Sequence, residues 1–144
     1  MREFSVPPSV HVDDDDTLSD TVFALADEQP DAVALRRRVD DAWAEVTCAA
    51  FVAEIVAVAR GLVASGIAPG DRVALLSRTR YEWTLFDYAI VAAGAVTVPI
   101  YETSSAEQVA SSSSGRTVIT VRTSATRLRW VSSQPFGRPV VPEV

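Results

Sequence analysis

At 144 residues, with 48% hydrophobic and 22% charged residues, the chain holds apolar material for one folded core or one piece of a larger domain. A formal net charge of −6 argues against nucleic acid as a partner. A single cysteine, Cys48, excludes an internal disulfide and fits a reducing compartment. All 13 basic residues are arginine, so the chain has no Schiff-base lysine, no phosphate-loop lysine and no lysine to polarise an acyl group.

Residues 1–16 read as a flexible acidic lead-in with two prolines and four aspartates at 13–16. Adjacent carboxylates on one extended segment do not converge on a cation, so the run reads as a solvated face beside the positive end of the next helix. His11, the one histidine, lies in this lead-in without a sequence partner. Nothing here has the apolar run of a signal peptide, and no later run is long enough to span a bilayer, so a cytoplasmic protein is expected.

Thr17 is a candidate helix cap, with Leu18, Val22 and Leu25 at helical spacing and Pro30 as the stop. From Ala32 the period shortens to a hairpin: AVALRRR, a turn near residues 39–41, then AWAEVT. The arginines at 36–38 are expected at its exposed end. Thr47 opens the clearest helix, where Phe51, Ile55, Val58 and Leu62 form one stripe and Gly66 supplies the stop. Ala50, Ala53, Ala57 and Ala64 make its other side small enough for a second element to approach. Pro69 and Gly70 then turn the chain into a short apolar strand, Arg72–Leu76. A helix over residues 81–93 follows, with Trp83, Phe86 and Ile90 inward and Gly94 closing it. A second buried strand is expected over residues 95–100. Two parallel strands joined by a helix form a right-handed crossover unit. Ser104 or Ser105 is placed to cap one more helix.

After residue 110 the character changes. Residues 1–110 carry 8 Arg against 18 acidic residues, whereas residues 111–144 carry 5 Arg against 1. This basic tail is rich in Ser and Thr, has three prolines near its end and is expected to be irregular, apart from a short strand near residues 118–121. Its five scattered arginines and one tryptophan do not make a nucleic-acid patch.

Several separate pieces carry a family resemblance in order and spacing. They are WAEVT at residues 43–47 leading into a helix, Gly70-Asp71-Arg72-Val73-Ala74, Glu82-Trp83, Gly94-Ala95-Val96, and Pro99-Ile100-Tyr101. Thr103-Ser104 and Glu107-Gln108-Val109 continue the series. Over roughly residues 17–110 the chain resembles the N-terminal region of long-chain acyl-CoA synthetases, within the adenylate-forming AMP-dependent synthetase and ligase superfamily. The resemblance implies an α/β fold: a partial N-terminal subdomain built from a β-hairpin and a parallel strand–helix–strand unit, followed by an irregular tail.

The family reaction is ATP-dependent. A fatty-acid carboxylate attacks ATP to give an acyl-adenylate, and coenzyme A then displaces AMP. The resemblance implies ATP, magnesium and CoA as the family's cofactors and a fatty acid as substrate. It also implies a phosphate loop reading Ser/Thr-Ser-Gly-Thr-Thr-Gly-x-Pro-Lys-Gly, which cradles phosphates through backbone N–H groups. No stretch of this chain fits it. Residues 111–117, SSSSGRT, lack the second glycine, the proline and the lysine. No catalytic, cofactor-binding or metal-binding residue is therefore assigned to the chain. Asp71 and Arg72 are expected to fix a turn, Asp87 to pair on a helix surface, and Cys48 to be a buried thiol. Tyr81, Trp83, Tyr88 and Tyr101 are expected to pack rather than to cage a ligand. The expectation is a ligase fragment, truncated or frame-shifted near residue 110 and inactive alone. Two alternatives remain: a small non-catalytic interaction module, or a piece that complements a separately encoded remainder.

Overall fold

The computed structural model describes residues 5–7, 9, 13, 16–101 and 103–105, and the backbone of 118–120, 122–124 and 127–129. His11, the candidate phosphate segment at 111–117, the continuation of a helix past Ser105 and the closing prolines lie outside the described residues. In chain order the elements are α1 (Asp20–Glu28), β1 (Val33–Val39), β2 (Ala42–Thr47), α2 (Cys48–Ala64), β3 (Arg72–Leu76), α3 (Tyr81–Ala92) and β4 (Val96–Ile100). Three short strands follow: β5 (Val118–Thr120), β6 (Arg122–Ser124) and β7 (Arg127–Arg129). The mixed α/β architecture is the one expected.

The hairpin β1–β2 is antiparallel, closed by the two-residue loop Asp40-Asp41, with Asp40 in the left-handed region at φ 52°. Its two-residue period separates the three arginines. Arg36 and Arg38 point outward, Arg36 donating to its cross-strand partner Glu45 at 2.8 Å, whereas Arg37 turns inward and is half-buried. The hairpin returns to the body where the Cys48 N–H donates to the Ala32 carbonyl (2.9 Å) and the Ala49 N–H to that of Pro30 (3.0 Å).

The Thr47 hydroxyl caps α2 by accepting the Ala50 N–H at 3.2 Å. The helix buries Phe51, Ile55 and Leu62 against Val73 and Leu75 of β3 and Leu85, Phe86, Ala89 and Ile90 of α3. Burying each large side chain contributes about 1.5–3 kcal/mol. The alanine side of α2 differs from expectation. Ala50, Ala53, Ala57 and Ala64 stay exposed, because α1, the hairpin and α3 all pack over the wide apolar stripe. The stripe of α1 also shifts. Leu18 is 80% exposed ahead of the helix start at Asp20 and Leu25 is 40% exposed, while Val22 faces the body as expected, joined by Phe23 and Ala26.

Both long helices end in the same motif. At the end of α2 the Gly66 N–H donates to the Val63 carbonyl and the Ile67 N–H to that of Leu62. At the end of α3 the Gly94 N–H donates to Val91 and the Ala95 N–H to Ile90. Gly66 (φ 93°) and Gly94 (φ 75°) take the left-handed position, and Leu62, Ile67, Ile90 and Ala95 are all buried in the core. These are Schellman caps with their hydrophobic contacts.

β3 and β4 pair in parallel, Arg72 with Val96 through Leu76 with Ile100, and β5 pairs in parallel on the other side of β3. The order β4-β3-β5 makes β3 the central strand, and its Val73, Ala74 and Leu75 are all buried. The expected buried strand at 95–100 is only partly so. Among the described residues β4 has one neighbour, leaving Val96 half-exposed and Pro99 exposed, as suits a proline on an edge strand. The antiparallel pair β6–β7 was not expected from the sequence.

Gly94→Ala and Gly66→Ala each force a side chain into the left-handed region, at a cost of about 1–2 kcal/mol. At Gly94 the new Cβ also meets Pro69 Cβ at 3.3 Å, whereas at Gly66 it meets open space. Urea denaturation should therefore show both variants destabilised and Gly94→Ala the more so.

Candidate functional site

An open cleft of about 550 Å³ lies beyond the carboxyl ends of β3 and β4, lined by Ser77, Arg78, Thr79, Tyr101 and Thr103. The topology accounts for its place. β3 ends at Leu76 and residues 77–80 lead into α3, while β4 ends at Ile100 and turns through a bond from the Ser104 N–H to the Tyr101 carbonyl (2.9 Å). With β4 and β5 on opposite sides of β3, the strand order reverses at β3. Open parallel sheets leave a crevice at the carboxyl ends there.

The described lining residues present one guanidinium, three aliphatic hydroxyls and a phenol. Such a surface donates hydrogen bonds to a polar or anionic group, and among the described lining residues no nucleophile is paired with a base. Nor do the described residues contain a cluster of three or more His, Cys, Asp or Glu able to hold a metal.

A second constellation lies behind this cleft, at the start of α3. The Tyr81 hydroxyl donates to Glu54 Oε2 at 2.9 Å across α2 and α3, and Arg37 of β1 lies 4.9 Å over the Tyr81 ring. Arg37 also approaches Glu54 Oε1 at 3.7 Å, and Phe51 packs against both Tyr81 (centroids 6.0 Å) and Tyr88 (5.7 Å, edge-on). Burial pushes the Tyr81 phenol well above the usual tyrosine range. Its hydrogen bond to Glu54 and that carboxylate's charge add to the shift, and Arg37 opposes it.

The residues singled out from sequence separate in three dimensions. Asp71 does fix the turn: its Oδ2 accepts the Ala68 N–H at 3.0 Å and its carbonyl accepts the Val96 N–H at 2.8 Å. Cys48 is buried and free, and Asp87 is half-buried on α3. Tyr81, Trp83 and Tyr88 pack against the core, as expected, but Tyr101 is 74% exposed and lines the cleft. The Arg37–Glu54–Tyr81 contact was not read from the sequence. Its one signal is the strand period, which turns the middle arginine of residues 36–38 inward.

Together the hairpin, the capped helices and the parallel sheet define the N-terminal subdomain of an adenylate-forming enzyme, and the comparisons agree. The chain belongs to the AMP-binding enzyme family, whose model matches residues 22–133. It is 51% identical over 109 residues to the long-chain-fatty-acid–CoA ligase FadD15 of Mycobacterium bovis and 50% identical to that of Mycobacterium tuberculosis. Each match covers 76% of this chain but 18% of the relative, so the chain spans less than a fifth of these ligases. Among solved structures, the N-terminal subdomain of Klebsiella oxytoca NpsA in complex with 3-hydroxyanthranilyl-AMSN matches with a TM-score of 0.62 at 25% identity, over 73% of this chain and 27% of that one. A fatty acid AMP ligase from Legionella pneumophila matches with a TM-score of 0.56 at 26% identity, over 64% of this chain and 16% of that one. Among the described residues, no helix is long and apolar enough to cross a membrane.

The raised Tyr81 phenol sets a pH dependence of stability. Below about pH 10 the phenol is protonated in both folded and unfolded chains. Above that the unfolded chain loses its proton first, so stability falls as pH rises toward the higher folded value. Urea midpoints at about pH 9 and about pH 11 should separate further for the wild type than for Tyr81→Phe.

Proposed function

We propose that these 144 residues form the N-terminal scaffold of a long-chain fatty-acid–CoA ligase and carry out neither step of its reaction by themselves. The carrying observation is the pairing of a family match over residues 22–133 with a sequence that contains no lysine and no family phosphate loop. Identity of 51% to a long-chain-fatty-acid–CoA ligase supports the substrate class. Forming an acyl-adenylate requires charge neutralisation between an incoming carboxylate and the phosphates of ATP, and cations and aimed N–H groups usually supply it. The arginine and hydroxyls of the cleft offer part of such a surface, without the lysine. The role left to the chain is mechanical. It braces a parallel sheet and holds the mouth of a cleft, while fatty acid, ATP, magnesium and CoA are handled by residues that complete the enzyme.

Calorimetric titration of the chain with ATP and magnesium should show no micromolar binding, and incubation with a long-chain fatty acid, ATP, magnesium and CoA should yield no acyl-CoA. A micromolar ATP constant, or thioester formed by the purified chain, overturns the reading.

A further inference from the structure

We propose that Arg37, Glu54 and Tyr81 form a clasp that couples the docking of the β1–β2 hairpin to the position of the loop at the cleft. Tyr81 is the first residue of α3 and directly follows residues 77–80, of which Ser77, Arg78 and Thr79 line the cleft. The N-cap residue of α3, Arg80, makes no side-chain capping bond, and its guanidinium pairs with Glu82 in the first turn. A long-range hold on this helix start comes from the Tyr81 side chain, through its 2.9 Å bond to Glu54 and its packing on Phe51. Arg37 brings the hairpin to the same point, over the Tyr81 ring and toward the other oxygen of Glu54.

Apart from the clasp, the hairpin is held to the body by Val46, 4% exposed in the core, by Ala34 and Leu35 packed against that core, and by the backbone bonds of Cys48 and Ala49 to Ala32 and Pro30. Its outer face is open, with Trp43 67% exposed. One carboxylate thus serves two neighbours. When Arg37 withdraws, Glu54 loses its cation. When Tyr81 withdraws, Arg37 loses the ring beneath it and Glu54 loses its donor. Loosening either element loosens the other, so a neighbour seated on the hairpin is felt at the cleft.

Hydrogen exchange by NMR on the full chain tests the coupling, using Tyr81→Phe, which keeps the ring on Phe51, and Arg37→Met, which keeps the aliphatic stem. Each single variant should speed exchange both in the hairpin and at residues 78–84, by about fivefold to tenfold. The core amides of Leu75 and Ile90 should be unchanged, and the double variant should add little to either single one. The clasp is overturned if each substitution loosens only its own element, if the two effects multiply, if nothing changes, or if Leu75 and Ile90 speed up equally, which marks a plain loss of global stability.

Discussion

Burial of one stripe of α2 is the interaction on which the remainder depends. Phe51, Ile55 and Leu62 are each at most 3% exposed and touch the core side chains of β3 and α3. α3 packs on β3 and β4, and without α2 the apolar side of α3 that α2 covers would lie open to water. The two Schellman caps serve the same packing. Each puts a glycine where the chain must reverse and returns the next residue, Ile67 or Ala95, to the core it has just left. The helices are therefore stopped by the geometry that delivers the following strand.

The same arrangement separates the family's architecture from its chemistry. A central strand hydrogen-bonded on both sides, with its order reversing there, opens a crevice at the carboxyl ends whatever side chains line it. Chemistry depends on those side chains, and among the described lining residues they are hydroxyls, a phenol and an arginine. Fold and activity are separable because the first rests on apolar periodicity and the second on a few placed polar groups. The family match also runs on to residue 133, past residue 110 where the motif-by-motif resemblance ends, and β5 lies within that stretch.

Most of the framework was legible from residues. Thr47, Gly66, Gly70 and Gly94 mark element ends by chemistry that operates locally, and the strands at 72–76 and 96–100 follow from short apolar runs between them. Errors arose where neighbours decide. Leu18 matches a helical stripe but precedes the helix, whose start at Asp20 leaves it in water. The small side of α2 invited a close neighbour, yet Ala50, Ala53, Ala57 and Ala64 stay exposed, and Glu54 of that side is the residue that meets α3 and β1. β4 is apolar enough for a central strand but has one neighbour among the described residues, because sequence composition does not record how many strands pair with it.

The sequence by itself determined the hairpin, the helix caps, the crossover unit and the family, since each rests on local periodicity, on glycine's access to positive φ, or on motifs that keep their order. It also determined that no lysine of these 144 residues takes part in any chemistry, whatever the fold. Only the tertiary structure decided that Arg37 leaves its exposed neighbours to meet Glu54 and Tyr81 from two other elements. It alone brought Tyr101 to the cleft rather than into the core. Such contacts join residues far apart along the chain, and no local spacing encodes a meeting that the packing of α2 makes possible.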